Sequence, residues 1–244
     1  MIMLLKLVKG ELFRLNKYNV ILVSLLVVIV WSIMLYLIED PIIFSSIISI
    51  IILLDVTMMT VLYTGSVLNF EKTESTMPSL MVTPASEKQL IFSKVISSMI
   101  HQTTSTLLVV IAFMLIRGIE INLFILTPII LINVATFTLY GFVFAFFSKD
   151  FTSLLANLST VYILLVLPSL LIYFGVFQST EMINFILLLS PMEQALVLIN
   201  SVVNSDYSIH FIFSLSMMLI YFLLTYNLIV KKQFNKYVQK GSGV

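Results

Sequence analysis

The 244-residue chain has no cysteine, which removes disulfides, thiolate nucleophiles and Cys-ligated metal sites. Charge is scarce as well: Asp, Glu, Lys and Arg make up only 10% of residues, where a soluble domain carries about 25%. An ordinary water-soluble enzyme is thereby excluded. The two histidines, His101 and His210, stand far apart, and no His-Glu-x-x-His, Gly-x-Ser-x-Gly or Gly-x-x-x-x-Gly-Lys-Ser/Thr run occurs. No catalytic residue, metal site or directly bound cofactor is therefore expected, and any ATP must be handled by another chain. A net charge of +1 gives no basic surplus to attract nucleic acid.

Apolar length is what the chain has in abundance. Hydrophobic residues make up 60% of it, in long runs from Asn19 to Lys231 with brief polar interruptions. A bilayer core roughly 30 Å thick needs about 20 apolar residues per helical span. Membrane β-strands alternate over about ten residues, whereas these runs are continuous and longer, so the spans are expected to be helices. The predicted fold class is an all-α polytopic membrane protein with six transmembrane helices, at about 19–38, 42–68, 92–116, 122–147, 152–177 and 208–230.

The stretch 180–203 is apolar enough for a seventh span, but Ser190-Pro191-Met192-Glu193 reads as a helix start in its middle. Ser190 would be the N-cap, Pro191 the first helical residue, and Glu193 the side chain that closes a capping box. Two short helices, 180–189 and 191–203, are expected instead, as a re-entrant or surface-lying hairpin within 178–207 before the last span.

Charge placement agrees with six spans. With both termini inside, Lys6, Lys9, Arg14, Lys17, Lys72, Lys88, Lys94, Lys149, Lys231, Lys232, Lys236 and Lys240 lie inside, and Arg117 alone of the basic residues lies outside. The outer segments are acidic, carrying Glu39, Asp40, Glu120, Glu181, Glu193 and Asp206. A seventh span would carry the four C-terminal lysines across. The first span reads as an uncleaved signal anchor, because it follows a basic stretch without a small-residue cleavage site. The whole is one membrane domain over 1–240, and Gly241-Ser242-Gly243-Val244 resembles an appended linker.

Two amphipathic pieces fall on the inner side. Over 1–18, Leu4, Leu5, Leu7, Val8, Leu12, Phe13 and Leu15 alternate with Lys6, Lys9, Glu11 and Arg14 at helical spacing, as in a helix lying in the membrane interface. The inner loop 69–91 contains its own short apolar helix: Ser75 or Thr76 can cap it, Pro78 is tolerated in its first turn and Pro84 stops it. Ser86-Glu87-Lys88-Gln89 then has capping-box spacing at the start of the third span. A capped helix between two turns suits docking to a partner.

This loop resembles that of the permease subunit of the type 2 ABC transporter family, the type V exporter fold. Glu71 and Glu74, Ser75-Thr76, Leu80-Met81-Val82, Thr83-Pro84 and Ser93-Lys94 stand where that family has its acidic, small, apolar, Thr-Pro and Lys positions. Ser75 replaces the family's usual Gly, and Pro78 within the helix is a departure. Six spans, an amphipathic N-terminal helix and a broken hairpin before the last span extend the resemblance over nearly the whole chain. It implies a bacterial-type cytoplasmic-membrane permease with both termini inside. Two such protomers, as homodimer or heterodimer, would pair with two ABC ATPase subunits that bind ATP-Mg. The cargo would be amphipathic or hydrophobic, a drug or an antimicrobial or toxic peptide. Glu71, Glu74, Ser75, Thr76, Leu80, Thr83 and Pro84 would form the ATPase-coupling element, with Glu71 and Glu74 pairing to ATPase cations.

Asp55 falls near the middle of the second span, where an ionised carboxylate is costly and marks a candidate site. The resemblance puts Asp55, Met59 and Tyr63 of the second span, with Asn157 and Tyr162 of the fifth, along the translocation pathway. A carboxyl hydrogen-bonded to a neighbouring helix is the equal alternative for Asp55. From a different class, a proton- or cation-coupled secondary transporter could use Asp55 as its ion site, although no pair of broken helices in matching halves is seen. The third span opens on Ser97, Ser98, His101, Gln102, Thr103, Thr104, Ser105 and Thr106, which read first as helix–helix hydrogen bonding and second as the lining of an inner vestibule. Thirteen methionines suit an adaptable apolar surface without naming a cargo.

Overall fold

The computed structural model describes residues 2–39, 41–74, 76, 84–176, 180 and 187–240, and among them every regular element is a helix. Helix α1 spans Ile2–Lys17, and a left-handed residue at Asn19 (φ 57°) turns the chain into α2, Val20–Leu37. Helix α3, Pro41–Leu54, runs through a π-turn at Asp55–Met59 into α4, Thr60–Thr73. Helix α5, Glu87–Arg117, is followed by α6, Leu123–Phe147, and α7, Phe151–Tyr173. The short α8, Pro191–Val203, precedes α9, Ile209–Leu224, which continues through a second π-turn, Thr225–Val230, into α10, Lys231–Lys240.

Local chemistry sets the ends of these helices. Ser86 accepts from the Gln89 N–H while the Gln89 side chain accepts from the Ser86 N–H, closing the expected capping box at α5. Gly118 ends α5 in the left-handed conformation (φ 65°), where a side chain would be strained. Asp150 and Ser153 form an equivalent box at the start of α7. Asn122 caps α6 by accepting from the Phe124 and Ile125 N–H groups.

Among the described residues, six helices are long and apolar enough to cross a membrane: Val20–Leu37, Ile47–Thr73, Glu87–Arg117, Leu123–Phe147, Phe151–Ile172 and Ile209–Val238. The chain is thus a multi-pass membrane protein of six candidate spans, with α1 and α8 too short to cross. The 31-residue α5 is about 46 Å long, well beyond a hydrocarbon core of about 30 Å. Two spans reach further than expected from sequence. The second is helical to Thr73, so Asn69–Thr73 belongs to a helix rather than a loop, and the sixth continues past Val230 as one helix to Lys240. In α10 the apolar positions Phe234, Tyr237 and Val238 recur at i, i+3 and i+4 and are buried, a stripe obscured in sequence by the surrounding lysines.

The second and fourth spans form the centre, with 72% and 67% of their apolar windows buried, while the first, fifth and sixth have 17%, 22% and 22%. Those three present apolar surface outward, as lipid-facing helices do. Helices α4 and α6 approach so closely that a Cβ added at Gly141 would lie 2.6 Å from Thr64 Cβ. Small residues permit that approach, and close packing is the main attraction available between helices in lipid. Helix α8 packs against α9 and α3, where Ser49 donates to the Asn200 side chain at 3.1 Å.

Candidate functional site

Four charged side chains from three helices meet at the α1 end of the bundle. Lys94 of α5 donates to both Glu71 carboxylate oxygens, at 2.6 and 2.7 Å, and to Glu11 at 2.9 Å. Arg14 lies 2.8 Å from Glu11 and 2.9 Å from Glu71. Two carboxylates and two cations balance, which is what makes their burial tolerable. Glu71 is 0% exposed, and Glu11 and Lys94 are each 5% exposed. Glu11 and Arg14 are three residues apart on α1, so one helical face delivers both. Burial by itself would lower the Arg14 pKa, but the adjoining Glu11 and Glu71 carboxylates outweigh it and raise it, so Arg14 stays charged.

An outer ring surrounds this cluster. Glu74 accepts from Tyr18 at 2.8 Å and from Lys17 at 3.2 Å. The Tyr18 and Lys17 hydrogen bonds hold the Glu74 carboxyl below its ordinary value. Burial, with the Glu74 hydrogen bond, pushes the Tyr18 phenol up. The Tyr18 ring meets Phe70 at 5.3 Å, and Phe70 stacks on Phe151 at 5.9 Å, extending the contact to the start of α7. From the last span, Tyr237 donates to the Leu68 carbonyl and Asn235 to Glu87.

Both acids expected to pair with ATPase cations have cationic partners within the chain. Glu71 is sealed inside the protein with its charge already matched, and Glu74, though part-exposed, is held by Lys17 and Tyr18. The reason is that α4 runs on to Thr73 and turns both acids toward α1. Thr76 donates to the Glu71 carbonyl at 3.2 Å, helping to close the end of α4, and Pro84 is exposed just before the α5 cap. Ser75, Leu80 and Thr83 lie outside the described residues.

From Lys94, polar residues line one face of α5 toward the middle of the bundle: Ser97, His101, Gln102, Ser105 and Thr106 recur at three- and four-residue steps. At the far end of this face, Gln102 donates to the Asp55 carboxylate at 3.0 Å and to its main-chain carbonyl at 2.9 Å, and Thr106 donates to the carboxylate at 2.5 Å. Asp55 is 1% exposed. The carboxyl is hydrogen-bonded to a neighbouring helix and ties the π-turn to α5. Between Asp55 and Lys94 lies a small crevice of about 20 Å³ lined by Tyr63, Thr64, His101 and Gln102 among others.

Two of the residues expected along a pathway, Met59 and Tyr63, fall in one cluster with Leu15, Val20 and Val67. Tyr63 also faces His101, with ring centroids 5.9 Å apart. The π-turn at Asp55–Met59 widens the helix and shifts the rotational phase of Asp55 relative to the residues that follow. Tyr162 is buried in the main core, whereas Asn157 is exposed and donates to Ser148 at 3.2 Å. The i, i+5 separation of those two residues points them to different sides of α7.

At the opposite end of the bundle, Ser190 stands at the N-cap of α8 and Pro191 at its first helical position, but Ser190 makes no side-chain capping bond. The expected capping box therefore does not form. Glu193 is instead beside the Ser169 hydroxyl of α7, and burial pushes its carboxyl above the ordinary value, with Ser169 working the other way. The 180–189 half of the expected hairpin lies mostly outside the described residues.

The four-charge cluster, the buried Glu11 above all, escaped the sequence reading, which assigned Glu11 and Arg14 to the polar face of a surface helix. The available signal was an acid and a base three residues apart on a basic helix, combined with Lys94 inside a span. No protein-family model matches this sequence, and no curated protein matches it with significant similarity.

Proposed function

We propose that this chain is the membrane-spanning permease subunit of an ATP-driven ABC exporter that carries an amphipathic or hydrophobic cargo outward. The loop pattern around Thr83-Pro84 and the six-span plan motivate the reading. The observation that carries it is the way Glu11, Arg14, Glu71 and Lys94 join α1, the end of α4 and the start of α5 into one unit on either side of the loop 75–86. A loop mounted on such a unit can transmit a push to two spans at once. A flexible loop would absorb the same displacement. In this reading α1 lies at the inner interface with Ile2, Leu5 and Phe13 exposed to lipid, and the loop helix enters a cleft of the ATPase. Two permeases and two ATPases make the working unit, ATP-Mg binds the ATPases, and both termini face the cytoplasm of a bacterial-type cell.

The test is copurification from native membranes in mild detergent, assayed for ATP hydrolysis, with Leu80→Asp and Thr83→Asp as loop variants. An ATPase that accompanies the native chain and is lost from the variants supports the reading. Absence of ATPase from the native preparation overturns it. Proton-coupled transport is the second reading, favoured by the buried Asp55 at the end of a polar helix face. Uptake or efflux driven by a pH gradient in liposomes containing this chain alone would establish it.

A further inference from the structure

At the end of the bundle away from the four-charge cluster, two neighbouring cavities share the walls Ile172 and Leu187. The larger, about 730 Å³, is an apolar groove formed by Ile163, Leu164, Leu167, Pro168 and Leu171 of α7 together with Leu189. The smaller, about 260 Å³, lies between α7, α8 and α9 and carries the polar groups. Gln194 and Ser214 on its wall satisfy each other: Ser214 donates to the Gln194 carbonyl at 2.7 Å, and the Gln194 amide donates to the Leu188 carbonyl at 2.6 Å. Glu193 differs. Its Oε2 is buried and accepts no hydrogen bond, while His210 stands exposed at the rim.

Among the described residues the walls therefore offer one unmatched carboxylate oxygen, at Glu193, and one unpartnered hydroxyl, at Ser190, along a long aliphatic slot. A neutral acyl chain would fill the slot and leave Glu193 Oε2 without a donor. An anionic lipid headgroup would meet the carboxylate as a like charge. The complement is a molecule with an N–H cation at one end and an apolar body at the other.

We propose that the joined cavities bind a cationic amphiphile, with its ammonium group donating to Glu193 and its apolar part lying along the α7 groove over Ile172 and Leu187. This names a cargo class for the exporter, and it rests on that reading only for the transport step. Binding itself needs no partner chain. Charge-assisted hydrogen bonding in a dry wall gives the site its selectivity for the cation over an equally apolar neutral molecule.

The experiment is photoaffinity labelling of the full chain in nanodiscs with a diazirine-bearing long-chain primary amine, compared with the matching alcohol at equal membrane concentration. Labelled peptides are mapped by mass spectrometry. The amine should label the segments around Ile172 and Leu187, be displaced by excess dodecylamine, and lose about tenfold or more in apparent affinity in Glu193→Gln. Ile172→Trp, which narrows the groove and keeps the carboxylate, should also abolish labelling. Equal labelling by amine and alcohol, or labelling unchanged in Glu193→Gln, overturns the proposal and leaves the groove as a seat for lipid. ATPase copurification, read on the same Glu193→Gln preparation, reports on the exporter reading separately.

Discussion

Lys94 Nζ lies between the two carboxylate oxygens of Glu71, at 2.6 and 2.7 Å, although the residues are 23 positions apart and sit on different spans. Removing one partner leaves the other charged and buried. Lys94→Met or Glu71→Gln should therefore destabilise the protein by about 3–5 kcal/mol, read from unfolding in detergent. Lys94→Met combined with Glu71→Met should cost less than the two single substitutions added together. Glu11 and Arg14 would still pair with each other.

The outer ring around Glu74 should respond to acid. Its carboxyl is held below the ordinary value by Tyr18 and Lys17, so its contribution to seating α1 is present above the unfolded-state pKa and disappears as pH falls through the lowered folded value. Spin labels on Lys9 and Lys88 should report a constant separation at neutral pH and loosening only on acidification. Glu74→Gln should shift that loosening toward the behaviour of the inner cluster alone. A loosening that sets in on raising the pH would contradict this assignment.

Gly141 and Thr64 mark a close contact between spans, since a Cβ at position 141 would stand 2.6 Å from Thr64 Cβ and 3.2 Å from the Val61 carbonyl. Neither obstacle is a free side-chain end, so Gly141→Ala should cost about 1–3 kcal/mol by overpacking. Gly65→Ala should cost less, because the atoms it meets, at 3.0 and 3.2 Å, are the terminal methyls of Leu154. Melting of the two variants side by side in one detergent checks the order.

Asp55 should prove tolerant of Asn and intolerant of losing its donors. Asp55→Asn keeps a side chain that can hydrogen-bond to Gln102 and Thr106, so folding should be close to unchanged. Gln102→Leu leaves the main-chain and carboxylate acceptors without that donor and should cost about 1–3 kcal/mol. Transport that survives Asp55→Asn would make the residue structural, and transport lost with the fold intact would make it part of the mechanism.

Much of the fold was legible in the chain because lipid imposes a simple rule: a span needs length and few charges, and both can be counted. The six runs, the Ser86 cap and the break at Pro191 could all be recognised locally. The end of the second span was misjudged because Glu71 and Lys72 look like loop residues when charge is taken as the boundary. Glu71 is helical and buried because Lys94 and Arg14 neutralise it, and neither is near it in sequence. In the same way α10 reads as a charged tail until the buried stripe of Phe234, Tyr237 and Val238 is seen against the bundle.

The sequence by itself determined that this chain crosses a membrane as helices, how many apolar segments are long enough to do so, and where several of them begin. Those properties depend on composition and neighbouring residues. Only the tertiary structure decided that Glu11 and Arg14 leave the surface to join Glu71 and Lys94, and that Asp55 turns toward Gln102 and Thr106. The same holds for the unmatched Oε2 left to Glu193 next to an apolar groove. Such pairings depend on the rotational phase of each helix, which one π-turn is enough to shift, and on which helices touch. Local spacing carries neither.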